Sequence, residues 1–203
     1  MFYEPKKGHP FKIDPYKALV FPRPIGWISS ISKKGVPNLA PYSYFNAVAD
    51  EPPQVMFCSN GNSAYGKHKD SLSNILSTKE FVVNFATFKT RDSMNISSSN
   101  YHPGEDEFVA AKLKKRKSKL IRAPSVNDSP ANLECKLVKT LKLKTNSNKL
   151  STMVIGEVIG IYINSKFIKN GKVDSLSMCY IARMGYSDYS TVVSKFILKR
   201  PNK

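Results

Sequence analysis

The stretch from residue 23 to residue 48 constrains the fold of this chain more than any other. β-branched and aromatic residues fill two arms on either side of Lys33-Lys34-Gly35, which predicts two strands joined by a turn, the second running to Val48. The arms carry hydroxyls and small side chains where a hairpin built only to fill a core would carry Val, Ile or Leu. These residues are Ser29, Ser30, Ser32, Ser43, Asn46 and Ala47. We expect the hydroxyls to be exposed, and the accessible backbone beside them suits an anionic, planar ligand.

The rest of the chain predicts a mainly β fold, a β-barrel with inserted helices. Further strands are expected at 54–59, 80–87, 131–143 and 152–163, and helices at 16–19, 71–78, 90–97 and 108–113. Asp70 is the predicted N-cap of the second helix. Met94 and Ile96 are available for packing in the third. Strands and helices do not alternate as βαβ units, and no GxGxxG fingerprint is present, which excludes a doubly wound nucleotide-binding sheet.

Glycines mark two further features of the predicted barrel. Gly156 and Gly160 interrupt the longest apolar strand four residues apart, which indicates bulges or a strong bend in a curved strand. Asn170-Gly171 predicts a hairpin turn. Residues 192–198 are expected to form a last strand or an extended tail.

The chain of 203 residues predicts a single domain, residues 1–203, with an N-terminal arm (1–14) and a C-terminal tail (191–203). No apolar run approaches the roughly 20 residues that a transmembrane helix needs. The N-terminus lacks an apolar signal core, so we expect a cytoplasmic protein without membrane insertion. Three distant cysteines favour reduced thiols over a redox pair, and the three histidines lack the spacing of metal ligands. We therefore predict no metal site.

The net charge of +17 is the compositional outlier. Such a field attracts anions, among them phosphorylated cofactors and nucleic acids. Part of the charge lies in the basic segment, residues 112–122. No nucleic-acid-binding module accompanies it, which favours a solvated, lysine-rich surface without specific nucleic-acid recognition. Electrostatic recruitment of phosphorylated ligands stays open.

Lys69-Asp70-Ser71 lies where a loop enters the second helix. Backbone N–H groups and the helix dipole favour an anion at such a position. The lysine adds a positive charge and the serine a hydroxyl donor. Taken alone, the triplet is also compatible with a capped helix and a solvated lysine.

The ordered motifs of the chain resemble those of the flavin reductase-like family of FMN-binding split barrels. The matching strings are RPIGWISS, APYSYFNAV, EPPQVMFCS, KDSLSNI, FVVNFAT, SPANLECKL, GEVIGIYI and IARMGYSDY. They run from about Pro15 to Tyr189, and their order carries the resemblance. The sequence departs from the family at Met184-Gly185-Tyr186, where many members have Leu-Gly-Gly, and at Tyr162, where some have histidine. The role in contacting nicotinamide or substrate that this histidine has in those members is therefore not assigned to Tyr162.

The resemblance implies FMN rather than FAD as the cofactor. By this resemblance, Lys69, Asp70 and Ser71 would hold the phosphate and ribityl chain, and residues 43–48 would run along the isoalloxazine. The loop around Arg183 would reach the flavin, often from a second subunit, although Arg183 could instead neutralise Asp188. The implied cofactor-binding residues are Arg23, Trp27, Ile28, Ser29, Ser30, Ser43, Tyr44, Phe45, Asn46, Ala47, Val48, Lys69, Asp70, Ser71, Asn74, Arg183 and Tyr189.

The function implied by this resemblance is an oxidoreductase. It would move hydride from NADH or NADPH to flavin, and pass electrons to free flavin, oxygen, a metal chelate or a partner oxygenase. The resemblance further implies a homodimer with the flavin at the subunit boundary. No general acid or base is assigned, because the flavin carries the chemistry. An FMN carrier or sensor without efficient NAD(P)H turnover is the first alternative, and a basic nucleic-acid-binding barrel is the second.

Overall fold

A computed structural model describes residues 1–66, 68–146 and 148–201 of the chain. The strands, in chain order, are β1 (Arg23–Pro24), β2 (Gly26–Ile31), β3 (Pro37–Tyr42), β4 (Phe45–Asp50), β5 (Pro53–Asn60), β6 (Glu80–Phe85), β7 (Lys115–Arg116), β8 (Ser125–Val126), β9 (Ala131–Lys142), β10 (Ser151–Ile163), β11 (Ile168–Lys169), β12 (Lys172–Val173), β13 (Ile181–Arg183) and β14 (Tyr189–Thr191). The helices are α1 (Tyr16–Leu19), α2 (Asp70–Thr78), α3 (Arg91–Ile96) and α4 (Glu107–Ala110), with 3-10 turns at Pro5–Lys7, Phe88–Thr90 and Ser165–Phe167. The mainly β fold with inserted helices is confirmed.

A seven-stranded antiparallel sheet, ordered β3-β2-β6-β9-β10-β5-β4, forms the barrel. β3 and β4 follow one another in the chain but lie at opposite edges of this sheet. No backbone ladder joins these two strands, which are described in full. Instead, the ring of Tyr42 at the end of β3 packs on Phe57 of β5, with ring centroids 4.7 Å apart. The barrel is therefore split along a seam between β3 and β4 that side chains close.

The predicted hairpin is confirmed in its first half and wrong in its second. β2 pairs with β3 from Gly26↔Tyr42 to Ile31↔Pro37, around a turn that contains Gly35 at φ 85°. The second arm does not continue to Val48, because the chain bends at residues 43–44 and β4 pairs with β5. Tyr42 and Phe45 are three residues apart, so a straight strand would point them to opposite faces. Both are buried in one core cluster, and this common burial requires the bend.

The two predicted irregularities of the long strand are confirmed. The register between β9 and β10 shifts between Ile155 and Gly156, and again between Val158 and Gly160. Gly156 also makes room for a core ring, since a Cβ atom built there would lie 2.4 Å from Cζ of Phe81. Asn170 and Gly171, with φ of 50° and 70°, form the expected turn between β11 and β12.

Strand β2 lies between two core clusters because its side chains alternate between the faces of the sheet. Ile28 packs inside the barrel with α2 residues Leu72 and Ile75, whereas Trp27 packs on the other face with Met94 of α3 and Phe108 of α4. α2 therefore covers one end of the barrel, and α3 and α4 cover the outside of the β2–β3 hairpin.

Two expectations about local structure are wrong, and a third, which named two outcomes, is decided in favour of one of them. Lys69, not Asp70, is the N-cap of α2, and Asp70 is the first helical residue. Ile96 does not pack inward, since 44% of its surface is exposed after α3 turns Met94 to the core. Residues 192–201 form no strand and leave Phe196, Ile197 and Leu198 exposed, so of the two expected outcomes the structure shows the extended tail. No helix in the described part of the chain is long and apolar enough to cross a membrane.

Candidate functional site

A groove runs along the end of β3 and the bend that follows it. Its first part, which we call the α2 end, has a volume of about 110 Å³ and lies between β3, the start of α2 and two loops. The α2 end is lined by Asn38, Ala40, Pro41, Tyr42, Asn62, Ser63, Ala64, Tyr65, Lys69, Asp70, Ser71, Ser97, Ser98, Ser99, Asn100, Tyr101 and Glu107. Its second part, the open end, has about 490 Å³. The open end is lined by Ile13, Asp14, Lys17, Arg23, Ile25, Pro41, Ser43, Tyr44, Met94, Ser98, Arg183, Tyr186 and Tyr189. Pro41 and Ser98 line both parts, so the two ends adjoin.

Lys69 brings to the α2 end a positive charge that has no ion-pair partner among the described residues. Its backbone is extended at the N-cap of α2, and its ammonium lies 6.0 Å from the ring centroid of Tyr42. The side chain is half-buried, and burial lowers its pKa from the ordinary value of 10.5. No carboxylate of the described residues forms an ion pair with it. A half-buried ammonium without a counter-ion is costly, and an anionic ligand would remove that cost.

Tyr42 adds a second unsatisfied donor to the same pocket. The residue is 6% exposed, and its hydroxyl is buried without a hydrogen-bond partner among the described residues. Burial raises the pKa of Tyr42 to about 12, although the nearby Ser71 and Ser59 hydroxyls act in the opposite direction. The hydroxyl therefore stays neutral near pH 7 and is available as a donor. Two unused donors at one small pocket favour a compact anion such as a phosphate group.

A chain of buried polar side chains supports the start of α2. Ser71 Oγ donates to Asn38 Oδ1 over 2.7 Å, and Asn38 Nδ2 donates to Glu107 Oε1 over 2.5 Å. The other carboxylate oxygen of Glu107 accepts from the backbone N–H of Leu39 over 2.9 Å. Asn74 Nδ2, one turn along α2, donates to Ser30 Oγ over 3.1 Å. These bonds fix α2 to strands β2 and β3.

The open end combines two arginines with exposed tyrosines. Arg23 is buried, and its guanidinium donates to the carbonyl oxygens of Lys17, Val20 and Met184. Its Nε is buried without a partner among the described residues. The Arg183 guanidinium lies 4.4 Å from the ring centroid of Tyr189 and donates to the carbonyl of Tyr186. The alternative in which Arg183 neutralises Asp188 is not observed, since the described residues contain no such ion pair.

A model of the flavin reductase like domain matches residues 18–182, most of the chain. The chain belongs to the flavin reductase-like family. Its site is therefore expected to accommodate a flavin. The resemblance to flavin reductase-like split barrels that the sequence motifs indicated is confirmed.

Two solved structures resemble this flavin reductase-like chain over nearly their whole length. Component B of nitrilotriacetate monooxygenase from Bacillus cereus superposes with a TM-score of 0.86 at 29% identity, covering 98% of both chains. The 2-nitrobenzoate 2-nitroreductase NbaA of Pseudomonas fluorescens gives a TM-score of 0.80 at 28% identity, covering 92% of this chain and 88% of its own.

Among curated relatives, an uncharacterized protein of Deinococcus radiodurans is 33% identical over 83% of this chain and 74% of its own length. An uncharacterized protein of Aquifex aeolicus is 45% identical over 60% of this chain. That match spans 61% of the Aquifex protein, less than two thirds of its length.

The residues present at the groove fit a flavin nucleotide. The α2 end is small and polar. It offers the Lys69 ammonium, which has no ion pair among the described residues, and the buried Tyr42 hydroxyl, which has no hydrogen-bond partner among them. The open end is several times larger and is bordered by aromatic rings. A compact anionic group therefore suits the first end, and a planar ring system suits the second.

The structure brings together some of the residues predicted for flavin binding and separates others. Lys69, Asp70 and Ser71 line the α2 end, and Arg23, Ser43, Tyr44, Arg183 and Tyr189 line the open end. Ser30 and Asn74 reach the α2 end only through the buried polar chain.

Three predicted residues of β2 belong to the core. Trp27, Ile28 and Ser29 are fully buried and do not line the groove. Trp27 donates to Ser97 Oγ over 2.9 Å, and Ser29 donates to the carbonyl of Pro124 over 2.6 Å. The expectation that the Ser29 and Ser30 hydroxyls are exposed is wrong. Alternation along β2 turns them to opposite faces, and each hydroxyl is used by a neighbouring element.

Strand β4 likewise contributes little to the groove within one chain. Phe45 is buried in the core, whereas residues 46–48 are exposed on the edge strand and line neither end of the groove. The Asn46 side chain accepts from the backbone N–H of Ala47 over 2.9 Å. Residues 46–48 are therefore accessible only from outside the barrel.

Sequence reasoning missed Asn38, Tyr42, Glu107 and the two loops at 62–65 and 97–101 as site residues. Asn38 and Tyr42 could have been found, since they are four residues apart and so share a face of β3. Glu107 could not, because 69 residues separate it from Asn38 and nothing local indicates their contact.

The basic segment is more firmly attached to the barrel than expected. The Arg116 guanidinium lies 3.8 Å from the ring centroid of Tyr162 and donates to Asn132 Oδ1 over 2.7 Å. The carboxylate of Glu134 accepts the backbone N–H groups of Lys119 and Leu120, at 2.8 and 2.7 Å. The description of a solvated segment therefore holds for lysines such as Lys112, Lys114 and Lys117, which are exposed, and is wrong for Arg116.

Proposed function

We propose that this protein is an FMN-dependent oxidoreductase that accepts hydride from NADH or NADPH. The observation that carries the proposal is a pair of donors, Lys69 without an ion pair and Tyr42 without a hydrogen bond among the described residues, at a small polar pocket that adjoins a larger cleft. FMN ends in a phosphate, which matches the 110 Å³ of the α2 end better than the adenylate of FAD does. Lys69, Ser71 and Tyr42 would hold that phosphate.

The residues of the open end would position the flavin ring. Ser43 and Tyr44 line this cleft, and the bend there leaves them outside the β3 ladder. Bound FMN would supply the acceptor for hydride and the carrier for electrons. The chain itself would orient the ring, exclude water and leave one face accessible to the nicotinamide, which needs stacking and distance control rather than a general acid or base.

The electron acceptor is proposed to be free flavin, oxygen, a metal chelate or a partner oxygenase. The Bacillus cereus relative is a component of a monooxygenase, which supports the last of these. We further propose a homodimer in which the second copy completes the open end, because Tyr186 and Tyr189 are 49% and 41% exposed there.

The absorption spectrum of the purified protein, recorded before and after anaerobic NADH or NADPH, tests the proposal. We expect a flavin spectrum that bleaches on addition of one of the two nucleotides, with FMN released on denaturation. A stable flavin spectrum that neither nucleotide bleaches would favour an FMN carrier or sensor. Failure to bind either FMN or riboflavin would contradict both functions.

A further inference from the structure

Glu107 is a buried carboxyl that lines the α2 end without a cation beside it. It is 5% exposed, and its two oxygens accept from Asn38 Nδ2 and the Leu39 N–H. No Lys, Arg or His of the described residues forms an ion pair with it. Carboxylates held only by neutral donors are expensive to bury, and a pocket for an anion is an unfavourable place for a further negative charge. A structural role alone does not explain this placement.

The ionised form of Glu107 fixes the direction of every hydrogen bond between it and Ser71. A carboxylate can only accept, so the Asn38 amide turns its NH₂ toward Glu107 and its carbonyl oxygen toward Ser71. The Ser71 hydroxyl then donates to Asn38 over 2.7 Å. In this arrangement Ser71 has only lone pairs left for the pocket, and a phosphate oxygen gains nothing from them.

Protonation of Glu107 allows the reverse arrangement. A neutral carboxyl can donate to the Asn38 carbonyl oxygen once the amide rotates by half a turn. The amide nitrogen then donates to Ser71, and the Ser71 hydroxyl is free to donate into the pocket. Ser30, the other neighbour of the amide, donates to Asn38 Oδ1 over 3.3 Å in the ionised state. It can accept from the rotated amide in the neutral state, because a hydroxyl rotates. One negative charge also leaves the pocket.

We propose that Glu107 is a positioning residue that couples recognition of the flavin phosphate to proton uptake, through the Glu107–Asn38–Ser71 chain. The proposal rests on the proposed function, since it takes the α2 end to be the phosphate site. It adds that the neutral form of Glu107 binds the phosphate and the ionised form disfavours it. By linkage, a bound phosphate in turn favours the neutral form of Glu107.

The surroundings of Glu107 place this proton exchange near neutral pH. Burial raises the pKa of Glu107 to about 7, assisted by the charge of Asp70. Hydrogen bonds from the backbone N–H groups of Glu107 and Leu39 and from Asn38 oppose this rise. Four elements place other titratable groups at the same pocket. The start of α2 contributes Lys69 and Asp70, β3 contributes Tyr42, and the two loops contribute Tyr65 and Tyr101. On its own helix, Asp106 is paired with Lys115. Of these groups, Glu107 is the carboxyl that the polar chain connects directly to Ser71.

The test compares FMN and riboflavin binding by the wild-type protein and Glu107→Gln, followed by flavin fluorescence from pH 6.5 to 8.5. Glutamine is neutral at every pH and can donate to Asn38 while accepting from Leu39. We expect wild-type affinity for FMN to fall about tenfold across this range, since one pKa unit of coupling is a factor of ten. Riboflavin, which lacks the phosphate, should show no such fall. Glu107→Gln should keep the tight, low-pH affinity for FMN throughout.

The FMN phosphate itself also titrates in this range, and this affects both proteins equally. Its effect therefore cancels when the pH dependence of the wild-type affinity is compared with that of Glu107→Gln. A purely structural role predicts the opposite result, in which Glu107→Gln weakens FMN and riboflavin alike at every pH. The same pH slope in both proteins would likewise overturn the proposal while leaving the phosphate site intact.

Calorimetry on the wild-type protein gives a second, independent readout. At pH 8, titration with FMN in buffers of different ionisation enthalpy should show net proton uptake, and titration with riboflavin should show none. Equal proton uptake for the two flavins would exclude Glu107 as the phosphate-linked group. A protein that binds FMN no better than riboflavin at any pH would instead contradict the phosphate site, and with it both proposals.

Discussion

The two ends of the groove differ in how completely one chain builds them. At the α2 end, side chains from β2, β3, α2 and α4 form hydrogen bonds with one another, and Asn38, Tyr42, Ser71 and Glu107 are buried behind an exposed loop rim. At the open end, the tyrosines are half exposed, Arg23 is used to hold backbone carbonyls, and β4 is an uncovered edge strand. The contrast indicates that the proposed phosphate site is built within a single copy, whereas the open end depends on what covers it.

Substitution of Lys69 should have the largest effect and tests the self-contained end. Lys69→Ala removes the unpaired ammonium, and a charge-assisted hydrogen bond is worth about 1.5–3 kcal/mol. FMN affinity should therefore fall roughly 10- to 100-fold. Riboflavin affinity should hardly change, which equilibrium titration of both flavins will establish.

Lys33→Ala is the matched control, since this lysine is exposed in the β2–β3 turn. It should leave the affinities for both flavins as they are. Equal losses for FMN and riboflavin in Lys69→Ala would show that the α2 end does not hold the phosphate, and the contrast between the two ends would then lose its basis.

The second prediction concerns the pH dependence of stability at the α2 end. Glu107 is neutral in the folded and unfolded protein below its ordinary pKa of 4.5, and its folded pKa is raised to about 7. Its contribution to stability is thus complete at low pH and is lost as the pH rises from about 4.5 to about 7. The wild type should lose about 1–3 kcal/mol of unfolding free energy relative to Glu107→Gln over this window.

Urea unfolding of the ligand-free proteins at pH 4.5, 6 and 8 measures this difference directly. Asp70 also has its pKa raised by burial, and it contributes equally to both proteins. Parallel stability profiles for wild type and Glu107→Gln would mean that Glu107 is not the buried, uncompensated acid described here.

The third prediction tests the open end. Arg183→Ala removes the cation–π contact with Tyr189, worth about 0.5–1 kcal/mol at an exposed site. We expect FMN and riboflavin to weaken together by about two- to fivefold, unlike the phosphate-selective loss in Lys69→Ala. If a second copy completes this end, flavin release and subunit dissociation should occur together on dilution.

Analytical ultracentrifugation that follows flavin absorbance across a dilution series measures both events. A monomer that keeps its full complement of flavin would refute the shared site. A dimer whose FMN affinity is unchanged in Arg183→Ala would place the subunit interface away from the open end.

The smallest effect is expected outside the groove, in the basic segment. Lys114→Ala combined with Lys117→Ala removes two exposed charges and leaves the attachment through Arg116 intact. Flavin content and unfolding free energy should not change. Binding of DNA or RNA at about 150 mM salt, lost in the double variant, would contradict the assignment of this segment as plain surface.

Local patterns in the sequence predicted the elements of the fold, because the physics that sets them is local. Gly156 and Gly160 predicted the two bulges, and Asn170-Gly171 predicted the turn, since each depends on backbone freedom at one or two residues. The bend after Tyr42 was not predicted. It follows from the burial of Tyr42 and Phe45 in a common core, which depends on tertiary packing and not on the local sequence pattern.

The candidate site was predictable to the extent that it is local. Lys69, Asp70 and Ser71 were recognised from their place at a helix start together with the family motif. Trp27 and Ser29 match the same family motifs, yet the structure places them in the core, because motif resemblance does not say which face of a strand a side chain occupies. Glu107 was missed because its contact with Asn38 depends on how α4 packs against β3.

The seam between β3 and β4 has a consequence for the motions of this protein. Opening it breaks no rung of the sheet, so amide hydrogens beside it should exchange through small local openings, whereas those of β9 and β10 require larger ones. The groove borders the seam at residues 41–44. A ligand seated there would contact the β3 edge and the bend that follows it, so its binding should suppress this local opening more strongly than it stabilises the whole fold.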